Sequence, residues 1–216
     1  MARPKIIKET RRPIIDREPP GQASLAPHEW LSEGSSEAFK RTLGSRSAFA
    51  LYLSSVAEQK IRSHAITEAP RMLEVMGFLL GEVCRWKGQV YSIVRDVVTT
   101  ELKSSSSKVR FDPKAFPKLF AELDESGFDY ILVGWYHSHP GHTCFLSRTD
   151  LETQKTMFDQ PYHAALVIDP INEDVKTFRL VEDGYEEVPF AVFSPNKDCP
   201  KRVKTRRLKV RPVALD

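Results

Sequence analysis

The stretch WYHSHPGHTCFLSRTD, from Trp135 to Asp150, constrains this chain more than any other part of it. It holds three of the six histidines within six positions, then a serine and an aspartate. The residues before it, YILVGWYHSH, are aromatic and β-branched at their start and predict a strand over Tyr130 to His139. Side chains alternate faces along a strand, so His137 and His139 point one way and Ser138 the other. Pro140-Gly141 stops the strand, and Ser147 predicts the start of a helix with Asp150 in its first turn. A carboxylate there can swing back to the strand end where the imidazoles project. Two imidazoles and a carboxylate make three ligands for a divalent metal. Zinc takes that set, and a water in the fourth position would make the site catalytic.

Other readings of the same residues stay open. Ser147 with Asp150 is also the S-x-x-D capping box, which needs no metal, although both uses hold the carboxylate near the helix start. His142 lies past the Pro-Gly turn and reads as an exposed loop histidine. Cys144 reads as a small buried residue. A hydrolytic zinc needs a base for its water. HEWLS at His28 lacks the second histidine of HExxH, and DCPKRV around Cys199 lacks the second cysteine of a zinc deaminase, so the base must come from elsewhere. Glu74 is the candidate, as the lone carboxylate in the apolar run MLEVMGFLLG. A buried carboxylate without a partner is costly and hints at function. The plainer alternative is a solvent-facing residue at a strand start.

Around this cluster the chain reads as one α/β domain with extensions: an N-terminal flexible arm over 1–34, a catalytic domain over 35–194 and a basic tail over 195–216. Ser47 to about Ile66 predicts a helix with Phe49, Leu53 and Val56 on one face. Leu73 to Val83 predicts a buried strand, and the turn RWKGQ leads to a second strand over Val90 to Val98. Asp112-Pro113 opens a helix with Phe116, Leu119, Phe120 and Leu123 as its stripe. Strands over Ala164 to Ile168 and Val175 to Val181 are joined by PINED. Interleaved helices and hairpin turns favour a mixed sheet over a parallel one.

With 216 residues, 41% of them hydrophobic, the chain can bury a sizeable core. The net charge of +3 gives no whole-chain argument for nucleic acid. Three dispersed cysteines, Cys84, Cys144 and Cys199, argue against a disulfide framework and for a reducing, cytoplasmic setting. No apolar run approaches the ~18 residues of a membrane span.

LEVMGFLLG followed by GWYHSHPGHTCFLSRTDLETQ resembles the JAMM, or MPN-plus, zinc metalloproteases, and most of all the branch of the proteasome-lid deubiquitinase and the catalytic subunit of the signalosome. The family pattern, a glutamate in an apolar strand and then H-S-H-P-x(6)-S-x-x-D, is complete here in Glu74, His137, His139, Ser147 and Asp150. The resemblance covers roughly Phe49 to Phe193. It implies a curved mixed sheet flanked by helices, the cytidine-deaminase-like MPN fold, with one zinc per chain at one sheet end. His137, His139 and Asp150 would hold the zinc, Glu74 would be the general base, and Ser147 would donate to the developing oxyanion. The bond cut would be an isopeptide to a lysine, with ubiquitin or a ubiquitin-like protein on the acyl side and a proteasome or unfoldase assembly as a further partner. The segment Thr99 to Phe111 matches the family's tail-binding insertion, which points to Lys103, Ser104, Ser105, Ser106, Ser107, Lys108 and Val109 as substrate contacts through strand addition. Alternatives are a peptidase acting on sulfur-carrier proteins, a non-catalytic scaffold of the same fold, a non-haem iron oxygenase, and a nucleic-acid module resting on the basic tail. The complete ligand set disfavours the scaffold, and the H-x-H spacing disfavours the oxygenase.

Overall fold

A computed structural model of the chain describes residues 14–99 and 131–195. Its elements in chain order are β1 (Ile15–Asp16), β2 (Leu25–Ala26), α1 (Glu33–Ser45), β3 (Leu51–Ser54), α2 (Ser55–Glu68), β4 (Met76–Trp86), β5 (Gln89–Thr99), β6 (Ile131–Ser138), α3 (Arg148–Met157), β7 (Ala164–Asp169), β8 (Asp174–Val181), β9 (Gly184–Glu187) and β10 (Phe190–Phe193). The expected helix from Asp112 and most of the segment Thr99 to Phe111, including Lys103 to Val109, lie outside the described residues, as does the tail beyond Pro195.

All ten strands join one mixed sheet in the order β2-β10-β3-β5-β4-β6-β7-β8-β9, with β1 against β4. The β4–β5 hairpin lies at its centre. Its turn is Lys87-Gly88, with φ of 47° and 81°, between the paired Trp86 and Gln89. Both turn residues are left-handed, the two-residue geometry that matches strand twist. β4 also pairs antiparallel with β6, Met76 opposite His137, and β6 runs parallel to β7. The sheet is buried on both faces. Leu79, Val133, Tyr136 and Leu166 pack with Ala57 and Ile61 of α2 on one face. Phe78, Trp135, Val167 and Phe158 pack on the other, beside α3. Burial on both faces explains why these strands read as continuous apolar runs rather than as alternating ones.

The expected helix over Ser47 to Ile66 divides at Ser54. Leu51, Tyr52, Leu53 and Ser54 form a strand buried at every position, and α2 follows without a loop. Ser54 makes the switch possible. Its Oγ accepts the Ala57 N–H at 3.1 Å, capping α2, and donates to the Arg95 carbonyl at 2.9 Å, holding β3 to the sheet. Val56, placed on the helix's apolar face by its spacing, is 47% exposed.

The segment read as a flexible arm packs on the sheet from Ile14 onward. β1 pairs parallel with Cys84 and Arg85, and β2 pairs antiparallel with β10. Trp30 is buried, and His28 Nε2 lies 3.1 Å from Glu58. Arg17 reaches both oxygens of Glu82 at 3.0 Å, and Arg95 meets Oε2 of the same carboxylate at 2.8 Å. Two-residue strands and single ion pairs leave no periodic trace, which is why this docking escapes a pattern-based reading.

Candidate metal centre

β6 delivers His137 at its penultimate position and His139 just past its end. The antiparallel pairing of Met76 with His137, carried two residues further, sets Glu74 across from His139. Ser138 points to the opposite face and is fully buried. α3 supplies the third group. Ser147 is its N-cap, and both halves of the capping box form: Ser147 Oγ accepts the Asp150 N–H at 3.2 Å, and Asp150 Oδ2 accepts the Ser147 N–H at 2.8 Å.

The same Oδ2 faces the imidazoles. It lies 3.4 Å from His137 Nε2 and 3.6 Å from His139 Nε2, while the two Nε2 atoms are 3.1 Å apart. A tetrahedral zinc about 2.0–2.1 Å from each donor would separate its donors by about 3.3 Å. The three side chains therefore form a triangle of the size that fits such an ion. They are the group among the described residues that could hold one. The cap and the ligand reading coexist in one carboxylate.

The electrostatics are those of charges gathered in a dry place. Burial lowers the His137 pKa, and the neighbouring Asp150 only partly opposes this. Burial works the same way on His139, but the hydrogen bond and charge of Asp150, the charge of Glu74 and the Thr143 carbonyl outweigh it and raise that ring. Burial alone would raise the Asp150 carboxyl, yet the two imidazoles and Ser147 hold it well below the carboxylate range. A carboxylate kept ionised between two imidazoles is the protonation state that a cation site needs.

The surroundings orient each ring. His137 stacks on Trp135, with centroids 4.4 Å apart and an interplanar angle of 10°. Trp135 Nε1 donates to Gln154 Oε1 at 2.6 Å, and Gln154 Nε2 donates to the Phe158 carbonyl at 3.0 Å. Gln154 lies on α3, one turn beyond Asp150, and is fully buried, so this contact ties the aspartate's helix to the histidine's strand. His137 Nδ1 is buried without a hydrogen-bond partner, a costly feature of a kind that clusters at functional sites. His139 Nδ1 lies 3.1 Å from the Thr143 carbonyl and so carries the proton, leaving the lone pair of Nε2 towards the centre. Phe145, 41% exposed, covers the outer side of His139 at 4.9 Å.

Glu74 is half-buried two residues before β4, close enough for its charge to act on both imidazoles. His142 is exposed, and Cys144 is buried with its Sγ 3.3 Å from the Val167 carbonyl. Two polar residues at the site have no motif to announce them. Gln154 is one. The other is Asp169 at the end of β7, whose fully buried carboxylate binds the loop after β6. Burial opposes its ionisation, but hydrogen bonds from Gly141, Thr143 and Asn172 hold its pKa below the usual range.

The family model described as JAB1/Mov34/MPN/PAD-1 ubiquitin protease matches residues 47–160. The 26S proteasome non-ATPase regulatory subunit 14 of Dictyostelium discoideum is 39% identical over 124 residues, which are 56% of this chain and 39% of that protein. Ubiquitin carboxyl-terminal hydrolase RPN11 of Saccharomyces cerevisiae is 35% identical over 142 residues, 62% of this chain and 44% of the yeast protein. COP9 signalosome complex subunit 5 of Debaryomyces hansenii is 34% identical over 146 residues, 62% of this chain and 30% of that protein. The chain thus spans less than half the length of each of these relatives. A solution structure of a Desulfitobacterium hafniense protein shares the fold, with a TM-score of 0.52 over 69% of this chain and 97% of that one, at 20% identity.

Proposed function

The chain belongs to the JAB1/Mov34/MPN/PAD-1 family, and on that premise we propose that it is a zinc-dependent isopeptidase. Its substrates would be conjugates in which ubiquitin or a ubiquitin-like modifier is joined to a lysine side chain, in connection with degradation by a proteasome-like assembly. The observation that carries this reading is the triangle of His137 Nε2, His139 Nε2 and Asp150 Oδ2, with edges of 3.1–3.6 Å and Glu74 set beside it.

A zinc held by these three residues would supply Lewis acidity towards a water and towards the scissile carbonyl. The remaining work falls to the chain's own groups. The Glu74 carboxylate takes a proton from the attacking water and returns it to the departing lysine amine. Ser147 Oγ already accepts the Asp150 N–H, so its own proton is available for the developing oxyanion. One such donor is commonly worth about 3 kcal/mol of transition-state stabilisation.

Thr99, the last described residue of β5, pairs with Gly77, near the end of β4 that Glu74 precedes. Thr99 therefore lies at the end of the sheet nearest the candidate centre, in the chain just before Lys103 to Val109. This supports the reading of that segment as the edge to which a modifier's C-terminal tail adds as a strand.

The deciding experiment is hydrolysis of diubiquitin, or of a cognate modifier conjugate, by the purified chain. Cleavage should stop when a chelator removes the metal and return when zinc is added back. Turnover that survives complete metal removal would end the metallo-isopeptidase reading.

A further inference from the structure

Asp169 accepts five hydrogen bonds. Oδ1 takes the backbone N–H groups of Gly141 at 2.8 Å, Ile171 at 2.9 Å and Asn172 at 3.2 Å. Oδ2 takes the Thr143 N–H at 2.8 Å and Asn172 Nδ2 at 2.7 Å. The carboxylate is fully buried, and amide donors rather than a cation surround it. Three of the five close the turn between β7 and β8. The other two reach across to the loop that follows β6, where the Thr143 carbonyl meets His139 Nδ1 at 3.1 Å. Thr143 holds a left-handed φ of 64°, a conformation a β-branched residue avoids unless its surroundings impose it. The backbone adds a second tie at the same place, since the His139 N–H donates to the carbonyl of Ile168, the residue before Asp169.

We propose that Asp169 is a positioning residue for His139: by gripping Gly141 and Thr143 it aims the Thr143 carbonyl at Nδ1, fixes the proton there, and so presents Nε2 to the metal. The proposal rests on the reading of His137, His139 and Asp150 as metal ligands. It replaces the usual direct carboxylate–histidine contact with a relay through one backbone carbonyl.

The test compares zinc affinity, by competition with a chromophoric chelator, and the His139 tautomer, by ¹⁵N imidazole shifts of the zinc-loaded chain. In the wild-type chain, Nδ1 of His139 should carry the proton. Asp169→Asn keeps the shape but turns one acceptor oxygen into an NH₂ group facing N–H donors. It should weaken zinc binding about 10- to 100-fold, the usual scale for losing an outer partner of a ligand, and the His139 shifts of its zinc-loaded form should change. Asn172→Ala removes a bond on the β7–β8 side and leaves Gly141 and Thr143 held, so its zinc affinity and tautomer should match wild type. Equal zinc affinity and unchanged His139 shifts in a folded Asp169→Asn chain would overturn the proposal. Should that variant fail to fold, the wild-type spectrum decides: a proton found on Nε2 of His139 overturns it equally. A wild-type chain that binds no zinc at all would instead sink the metal reading itself, an outcome seen before any variant is made.

Discussion

Val75 and Ser138 are joined twice: the Val75 N–H donates to Ser138 Oγ at 2.9 Å, and the Ser138 N–H donates to the Val75 carbonyl at 2.9 Å. The serine between the two histidines thus spends its hydroxyl on the backbone next to Glu74. Its position on the face opposite the imidazoles lets it do this without entering the centre. The backbone on either side of Glu74 and of the two imidazoles is thus tied together through this pair.

Glu74→Gln keeps the shape of the side chain and removes its ability to take a proton. Isopeptide cleavage should fall about 100-fold or more, on the usual scale of general-base catalysis. Zinc content and substrate binding should persist, which would make the variant a substrate trap. The measurement is single-turnover cleavage at matched zinc occupancy. An unchanged rate would move the base to another carboxylate. Glu82 is poorly suited, since Arg17 and Arg95 already hold it.

The purified chain should carry about one zinc, and metal removal should lower its thermal midpoint, because an ion that binds only the folded state stabilises it. Asp150→Ala removes one corner of the triangle and should reduce zinc content well below that of wild type, whereas Glu74→Gln should not. Elemental analysis after gentle purification, alongside melting with and without chelator, checks both. Less than half a zinc per chain, with no gain on adding it, would count against the assignment.

His163 supplies a dependence on pH away from the centre. Its ring is 7% exposed, and burial pushes its pKa down from 6.5 to about 4. The unfolded chain therefore takes up this proton before the folded one does. Its contribution to stability is complete above pH 6.5 and is lost as pH falls from 6.5 towards 4, by up to about 3 kcal/mol. Nδ1 accepts the Gln160 N–H at 3.2 Å, a role the amide oxygen of His163→Asn can imitate without titrating. Denaturant unfolding of the metal-free chain at pH 7 and pH 4.5 should show a smaller loss for His163→Asn than for wild type. Parallel losses in the two chains would exclude His163 as the source.

Gly134 sits three residues before His137 with φ of 154°, and a Cβ there would collide with the backbone carbonyl oxygen of Ala164 on β7. Gly134→Ala should cost about 1–3 kcal/mol or more, and the midpoint should drop by about 2–4 °C per kcal/mol. Gly44→Ala near the end of α1 meets nothing within 4 Å and should be neutral or mildly stabilising, since alanine prefers a helix. Calorimetry of the two variants gives the comparison, and equal midpoints would contradict the packing described for β6 and β7.

The features legible from sequence were those whose causes lie close together in the chain. The strand with two histidines on one face, the Pro-Gly stop and the capping box all sit within Trp135 to Asp150, and the structure builds them as expected. The strand boundary at Ser54 was not legible. A strand buried on both faces and a buried helix offer the same run of apolar residues, and Phe49, Leu53 and Val56 happen to repeat at a helical spacing. Asp169 and Gln154 were not legible for a different reason. Their partners, Thr143 and Trp135, stand 26 and 19 residues away, and a hydrogen bond at that distance follows no period.

Among the described residues, β6 pairs with β4 from Met76 to Gly81 and leaves the outer half of that edge of β4, Glu82 to Trp86, to other segments. Ile15–Asp16 occupies part of that edge, and Arg17 locks it down on Glu82. In a protein proposed to receive a modifier's tail as an added strand, this is a barrier against misdirected pairing: the edge far from the candidate centre is closed by the chain's own N-terminal segment. A chain trimmed to begin at Glu33 would reopen it and offer a second, unproductive landing strip for extended peptides and for other copies of itself.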